Sequence, residues 1–226
     1  MSPDALAALY PFLHGVPQDD ASLAEALSRS IADKAADGRD TSARFFAAEG
    51  DALLGAARAL AKSFASGGRL FTMGNGGSSC DAGHIAVEFL HPVTAGRPAL
   101  PAIDLTANVA MLSAIGNDLG FEHAYVRQLI AVARAGDAVL GVSTSGNAAN
   151  LIAAFAKAKE MGLETIGLAG GDGGQMRASG FVEHCLVVPS TSIHRIQECH
   201  VAAYHILWDL VHTLLADMRG SARAAI

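Results

Sequence analysis

The sequence lacks the marks of exported, membrane-spanning and disulfide-stabilised proteins. Only three cysteines occur among 226 residues, and they fall inside predicted helices and strands, which is typical of reduced thiols. No apolar run approaches the roughly 18 residues that predict a membrane span. The first twenty residues contain aspartate but no lysine or arginine, unlike the start of an export signal. We therefore expect a cytoplasmic location and no membrane partner.

Positive charge is also scarce and scattered. The chain has 16 basic and 22 acidic residues, a net charge of -6, and no cluster of lysine or arginine. Binding to a nucleic-acid backbone depends on such a cluster, so we expect no nucleic-acid partner. The length suits a single well-buried domain. We predict an N-terminal arm at residues 1–20, one domain at residues 21–218 and a tail at residues 219–226.

Apolar residues recur at helical spacing early in the chain and in short β-rich runs after it. The helical pattern starts at Ser22 and again at Ala43, with Gly38 between, which predicts two extra helices before the core. The predicted strands are Arg69–Met73, Ala99–Leu105, Ala138–Val142, Thr165–Ala169 and Val182–Val188. Helical stretches alternate with these runs, and a last helix covers about His194–Leu215. This alternation predicts an α/β fold, a five-stranded parallel sheet sandwiched by helices.

A run of hydroxyl residues joins the third predicted strand to an alanine-rich helix. Ser143, Thr144 and Ser145 occupy this turn, followed by Gly146 and Asn147. Backbone N–H groups and hydroxyls at a helix N-terminus bind anions, because the helix dipole favours negative charge there. The segment therefore predicts a phosphate cradle. The alternative is that Ser145 or Asn147 only caps the helix.

A glycine-rich loop follows the first predicted strand and opens the next helix. It reads Gly-Asn-Gly-Gly-Ser-Ser at residues 74–79, and glycines at this density indicate backbone that approaches a ligand closely. Its spacing is not the G-x-G-x-x-G of dinucleotide-binding proteins, and no acidic residue is placed to bind a ribose. A nucleotide-binding fold is therefore the weaker interpretation of this loop.

Metal-binding residue types occur on two predicted helices. His84 and Glu88 are four residues apart, so they share one helix face and offer half of a zinc site, although a solvated pair has the same spacing. Gln197 and His205 are eight residues apart on the last helix, a rise of roughly 12 Å. Three explanations remain open for this pair: a distorted helix, ligands from two subunits, or only one residue on the metal. We expect Cys80 to be a packing residue, and His200 and His212 to be packing or surface residues.

Five motifs together resemble the sugar isomerase (SIS) domain family and, within it, the phosphoheptose isomerases. They are MGNGGSSCDAGHIAVE, IGNDLGFE, GDAVLGVSTSGNAANLI, GGDGGQM and RIQECHVAAYH, in the family's order. The resemblance implies a flavodoxin-like SIS domain that assembles as a homotetramer with one zinc ion per subunit. It also implies an aldose–ketose isomerase acting on a phosphorylated ketose, with sedoheptulose 7-phosphate and D-glycero-D-manno-heptose 7-phosphate as the expected pair.

The resemblance further implies roles for individual residues. Substrate contacts fall on Asn75, Gly76, Gly77, Ser78, Asn117, Asp118, Ser143, Thr144, Ser145 and Gln197. Acid–base chemistry falls on Glu88 and His205. The zinc ligands fall on His84, Glu88, Gln197 and His205. Taken from the residues alone, Asn117-Asp118 reads equally well as an ordinary turn.

Two departures from the family pattern concern the substrate. The isomerases usually read Glu-Leu-Thr-Gly-Arg where this chain has Glu88 followed by Phe-Leu-His-Pro, so an expected basic contact is missing and only Arg97 is near enough to replace it. Ala148 stands where the family has a further serine. The alternative function is a non-catalytic SIS protein of the replication-initiator-associating type. That group typically lacks an acid and an imidazole at the positions of Glu88 and His205, so their presence favours the enzyme.

The expected chemistry moves a proton between adjacent carbons through an enediol. Glu88 is the expected base, with His205 as the proton shuttle, or as the base if the carboxylate is held by zinc. Apolar residues on the outer helices exceed what a five-stranded sheet needs for cover, which also predicts a homotetramer. These residues are Phe45, Phe46, Leu53, Ile206, Leu207, Trp208 and Val211.

Overall fold

The computed structural model describes residues 20–224, with side chains described for residues 20–218. The predicted arm at residues 1–20 therefore lies outside the described part of the chain, apart from Asp20. The helices are α1 (Asp20–Ala65), α2 (Gly77–Leu90), α3 (Val109–Asp118), α4 (Val126–Val132), α5 (Ala149–Glu160), α6 (Gly174–Ala178) and α7 (Ile193–Ala224). The strands are β1 (Leu70–Gly74), β2 (Ala102–Asp104), β3 (Ala138–Ser143), β4 (Glu164–Gly170) and β5 (His184–Val188). A 3₁₀ turn, Phe121–His123, precedes α4.

The five strands form one parallel sheet in the order β2-β1-β3-β4-β5. This order is the flavodoxin-like one, and the predicted fold class is confirmed. The chain reverses its direction of travel across the sheet between β1 and β3, which are hydrogen-bonded neighbours. Ligands of open parallel sheets bind outside the carboxyl ends of the strands at this switch point. Both the glycine-rich loop and the hydroxyl-rich loop start there.

Apolar side chains cover the sheet on both faces. On one face Leu140 and Ile166 pack in a core with Phe89 of α2 and Leu207 of α7. On the other face Val139 and other strand residues pack with the helices α4 and α5. Alternate strand residues therefore serve opposite faces, as expected for a central parallel sheet. No described helix has the length and apolar character needed to cross a membrane.

The prediction of two helices before the core is wrong, because α1 is one helix of 46 residues that passes through Gly38. A glycine inside a helix costs only about 1 kcal/mol relative to alanine, and helix-favouring residues surround this one. The chain nevertheless divides into two compact units between Arg39 and Asp40, close to that glycine. In the first unit, Leu23 and Ile31 are exposed on the helix surface.

Most of the apolar residues assigned to a subunit interface belong instead to the core of the second unit. Phe45, Leu53, Leu207 and Val211 are buried, and Phe46 and Trp208 pack against the same cluster. Only Ile206 is exposed. The sequence pattern misled because it does not show that α1 and α7 both cover the same face of the sheet. The exposed apolar side chains of this unit lie elsewhere, and several surround the edge strand β2: Ile103, Val109, Met111, Ile130 and Val132.

Candidate active site

The loops that follow β1 and β3 are tied together by a pair of amide side chains. Nδ2 of Asn75 donates to Oδ1 of Asn150 at 2.8 Å, and Nδ2 of Asn150 donates back to Oδ1 of Asn75 at 2.9 Å. The Tyr125 hydroxyl donates to the backbone oxygen of Gly74 and lies 3.2 Å from Oδ1 of Asn75. Burial raises the pKa of Tyr125 to about 12, so this hydroxyl keeps its proton. The two loops are therefore held as one rigid unit.

A small polar cavity of about 190 Å³ lies between these loops. It is lined by Asn75, Ser78, Val142, Ser143, Thr144, Ser145 and Ala148. The structure thus brings the predicted hydroxyl residues together with Asn75 and Ser78 of the glycine-rich loop. Hydroxyl and amide groups bind phosphate oxygens without placing a charge in the site.

The helix behind the cavity starts without a side-chain cap. The N-cap residue of α5 is Ala148, and no side chain caps this helix end. The alternative that Ser145 or Asn147 caps the helix is therefore wrong. Instead, Oγ of Ser145 accepts from the backbone N–H of Asn147 at 3.2 Å, and Oδ1 of Asn147 accepts from the N–H of Gln175 at 2.9 Å. The positive end of α5 consequently adjoins the cavity, which favours an anion there.

Two loop glycines have neighbouring groups in the space of a side chain, and at Gly146 the neighbour is backbone, which makes glycine necessary there. Gly146 has a φ of 64°, and an added Cβ would overlap the backbone oxygen of Gly173. At Gly77 an added Cβ would lie 2.5 Å from Nε2 of Gln197. The preceding Gly76 is the N-cap of α2, with a φ of 55°. Gln197 of α7 therefore reaches the glycine-rich loop, next to two other predicted substrate residues.

Helices α2 and α7 run side by side in the same direction. Gln197 meets Gly77, and Nδ1 of His84 lies 2.8 Å from the Tyr204 hydroxyl. Two turns of helix separate these contacts. Because each helix rises about 1.5 Å per residue, the His84 contact lies roughly 10 Å beyond the glycine-rich loop. Within this chain Gln197 is therefore at the loop end of the helix pair, and His205 is with His84.

The structure brings together three of the four predicted zinc ligands. One ligand atom from each of His84, Glu88 and His205 lies within 4.8 Å of the other two. Nε2 of His84 is 3.1 Å from Oε1 of Glu88, and the His84 and His205 rings meet edge to face with centroids 5.1 Å apart. Imidazole nitrogen and carboxylate oxygen are donors that zinc accepts, so this set fits a zinc ion. Gln197 is not part of the cluster in this chain.

One acidic residue that lies beside the cluster was not identified from the sequence. Asp81 precedes His84 by three residues on the same helix and is buried. Burial raises the pKa of Asp81, and the charge of His84 lowers it in part. The sequence contained a signal for it: Asp81 lies one helical turn before His84, on a helix face whose other residues are mostly small or apolar. Cys80, expected to be a packing residue, is exposed, whereas His200 and His212 are buried as expected.

The Asn117-Asp118 pair lies at the C-terminal end of α3. Nδ2 of Asn117 donates to Oδ1 of Asp118 at 2.7 Å, and both side chains are exposed. Among the described residues, no hydrogen bond joins this pair to the glycine-rich or hydroxyl-rich loop. Within a single chain, Asn117 and Asp118 therefore do not line the cavity between the two loops.

The side chain of Arg97 contacts α7. Arg97 is the residue that could replace the basic contact missing from the Phe-Leu-His-Pro segment after Glu88. Its guanidinium lies 4.5 Å from the centroid of the Trp208 ring and pairs with the carboxylate of Asp209. Nε1 of Trp208 in turn donates to the backbone oxygen of Glu88 at 2.8 Å. Arg97 therefore supports the helix pair beside Glu88 rather than lining the phosphate cavity.

Comparison with known proteins agrees with this geometry. The SIS domain family model matches residues 35–170. A phosphoheptose isomerase of Pelobacter propionicus is 46% identical over 69% of this chain and 82% of its own length. One from Roseiflexus is 38% identical over 87% of this chain and 98% of its own length. The structure of the Neisseria gonorrhoeae phosphoheptose isomerase aligns with a TM-score of 0.77 and 34% identity, covering 83% of this chain and 99% of that one.

Proposed function

Because the chain belongs to the SIS domain family and, within it, to the phosphoheptose isomerases, we propose that it interconverts sedoheptulose 7-phosphate and D-glycero-D-manno-heptose 7-phosphate. One observation supports this most strongly: the carboxylate of Glu88 and the imidazole of His205 lie close together on helices α2 and α7. Helix α2 begins beside the polar cavity between the two loops. His84 lies six residues beyond Ser78, about 9 Å along the same helix. An extended sugar phosphate spans a distance of that order.

The proposed binding mode places the phosphate in the cavity at the switch point. Its oxygens accept hydrogen bonds from the positive end of α5 and from the surrounding hydroxyls. The residues assigned to this role are Asn75, Gly76, Gly77, Ser78, Ser143, Thr144 and Ser145. Gln197 is assigned to the sugar, since its amide lies beside Gly77 at the entrance to the helix pair. Asn117 and Asp118 are assigned to the substrate as well, on the family resemblance alone.

The proposed reaction moves one proton between two carbons and one between two oxygens. Glu88 takes a proton from C1 of the ketose, and the electron pair forms the C1–C2 double bond of the enediol while the C2–O2 double bond opens onto O2. The proton then returns at C2. His205 carries the proton from O1 to O2, which leaves the aldehyde at C1. Because Glu88 and His205 are both assigned to the metal ion as well, the one that acts as the base at carbon leaves the metal when substrate binds.

We assign one zinc ion per subunit to the cluster of His84, Glu88 and His205, whose ligand atoms lie within 4.8 Å of one another and are of types that zinc accepts. Gln197 completes the ligand set only if the helix pair distorts or if a second subunit supplies it. When bound, the metal supplies a Lewis acid that polarises the substrate carbonyl.

We further propose a cytoplasmic homotetramer. The exposed apolar side chains around β2 flank a groove of about 540 Å³, and such surfaces on globular domains often mark subunit contacts. The three cysteines, Cys80, Cys185 and Cys199, are all free thiols in the structure, which suits a reducing compartment.

A panel of ketose phosphates assayed with and without added zinc tests the proposed function. We expect turnover of sedoheptulose 7-phosphate, with the strongest activity after zinc loading. Five- and six-carbon ketose phosphates are the matched controls and should react more slowly, because the span from the cavity to Glu88 suits a longer chain. Binding of these sugars without turnover of any of them would favour the non-catalytic alternative.

A further inference from the structure

Tyr204 contacts the ring nitrogen of His84 that is directed away from Glu88. Nε2 of His84 is directed to Glu88, whereas Nδ1 lies 2.8 Å from the Tyr204 hydroxyl. The two rings meet edge to face with centroids 5.3 Å apart. Tyr204 is buried at 2% exposure, so its ring cannot move without disturbing the packing of α7 on the sheet. His84 is therefore held on both nitrogens.

The hydrogen bond to Tyr204 is linked to the question of which ring nitrogen of His84 carries the proton. With a neutral His84, Nε2–H donates to Glu88, because a carboxylate only accepts, and Tyr204 donates its hydroxyl proton to Nδ1. An imidazole that binds a metal through Nε2 must carry its proton on Nδ1, so Nδ1–H then donates to the Tyr204 oxygen. The hydroxyl proton of Tyr204 then needs a different acceptor.

Asp81 is a buried acid that precedes His84 by three residues on α2. Its Oδ2 atom is buried and has no hydrogen-bond partner among the described residues, which is a costly state for a carboxylate oxygen. A tyrosine hydroxyl can donate in one arrangement and accept in the other, so Tyr204 can hold His84 in both.

We propose that Tyr204 is a positioning residue that orients His84 and presents its Nε2 atom to a metal ion shared with Glu88 and His205. This inference rests on the proposed zinc site, and it adds a residue outside the predicted ligand and substrate sets. The nitrogen that Tyr204 holds is the one whose partners set ring orientation and ligand strength in metal-binding histidines. Tyr204 acts through His84 and does not itself touch the substrate.

The test is a zinc titration of the full-length chain by competition with a chelator, comparing wild type with Tyr204→Phe. This variant keeps the ring and removes only the hydroxyl, and we expect zinc affinity to fall by about 10- to 100-fold. Tyr125→Phe is the matched control, because it removes a buried hydroxyl that contacts Gly74 rather than His84. Its zinc affinity should stay within about twofold of wild type.

The outcomes separate this inference from the proposed zinc site. If wild type binds zinc and Tyr204→Phe binds it equally well, the positioning role is wrong and the zinc site stands. If wild type binds no zinc, both are wrong. Nitrogen-15 spectra of the histidine rings give a readout that does not depend on how well the variant folds. Metal-free wild type should carry the His84 proton on Nε2, and a proton on Nδ1 there would contradict the hydrogen-bond chain.

Discussion

Asn75 and Asn150 exchange two hydrogen bonds across the switch point of the sheet, at 2.8 and 2.9 Å. Asn75 stands at the end of β1, and Asn150 is in the first turn of α5. The pair thus joins the glycine-rich loop to the helix whose positive end adjoins the phosphate-type cavity. Because Asn150 is almost fully buried, neither amide can exchange these bonds for water without opening the site.

Replacing Asn150 with alanine should destabilise the fold and weaken sugar-phosphate binding together. The change removes both bonds and leaves Nδ2 of Asn75 without its partner, which costs about 1–3 kcal/mol. Urea denaturation and calorimetry with sedoheptulose 7-phosphate measure the two effects. Asn108→Ala is the control, since Asn108 only caps α3 and its loss should leave phosphate affinity unchanged. Unchanged affinity in Asn150→Ala would show that the loops do not need this link.

Replacing Ser145 with alanine should weaken binding without destabilising the fold. Its hydroxyl lines the cavity and is not a helix cap, so its loss removes about 0.5–1.5 kcal/mol per neutral hydrogen bond to the ligand, and somewhat more to an anion. Calorimetry should show affinity reduced several-fold at an unchanged melting temperature. Ser113→Ala on α3 is the control. A large loss of stability with full affinity would mean that the cradle is misassigned.

The stability of the protein should fall in mild acid because of His200. Burial lowers the pKa of this histidine to about 4 from 6.5, so the folded state excludes a proton that the unfolded state accepts. The loss begins as the pH falls through 6.5 and is complete below about 4, and it amounts to about 2 kcal/mol between pH 7 and pH 5. Above pH 6.5 this group has no effect on stability.

His200→Gln provides the comparison for that pH dependence. Glutamine keeps a donor for the backbone oxygen of Ala169, which accepts from Nε2 of His200 at 3.0 Å, but it does not titrate. Urea denaturation from pH 4 to pH 7 should give a flatter profile for the variant than for wild type. Parallel profiles would show that another group causes the acid sensitivity.

The subunit contact is open to a direct test. Wild type should sediment as a tetramer at micromolar concentration, and Val132→Glu should shift it to smaller species by placing a charge in the apolar groove beside β2. Val93→Glu is the control, because Val93 is highly exposed but does not line that groove. Sedimentation of wild type as a monomer would contradict the proposed assembly.

The parts of the fold that local patterns determine could be predicted from the sequence. Alternating β-rich runs and helical stretches identified all five strands, and the hydroxyl and glycine runs identified both loops at the switch point. The i, i+4 spacing of His84 and Glu88 correctly indicated a shared face. His205 joined them on the resemblance alone, since spacing within one helix says nothing about the helix beside it.

The rest depends on packing between distant segments, which sequence patterns do not contain. Gly38 looked like a helix boundary because the sequence does not show whether the surrounding helix tolerates it. Asn150 and Tyr204 were missed because their importance comes from partners 75 and 120 residues away. The apolar residues of α1 and α7 looked like an interface because the sequence does not show that both helices cover the same face of the sheet.

Turnover and binding measured side by side in Glu88→Gln test the central claim most directly. Removing a positioned acid or base costs about 10²–10⁴ in rate, whereas phosphate affinity depends on the loops and should shift by less than tenfold, about 1.4 kcal/mol. His205→Asn should behave alike, and Glu160→Gln, an exposed carboxylate at the end of α5, should keep the wild-type rate. We predict that Glu88→Gln binds sedoheptulose 7-phosphate but no longer isomerises it measurably. Turnover of this variant at the wild-type rate would contradict the account.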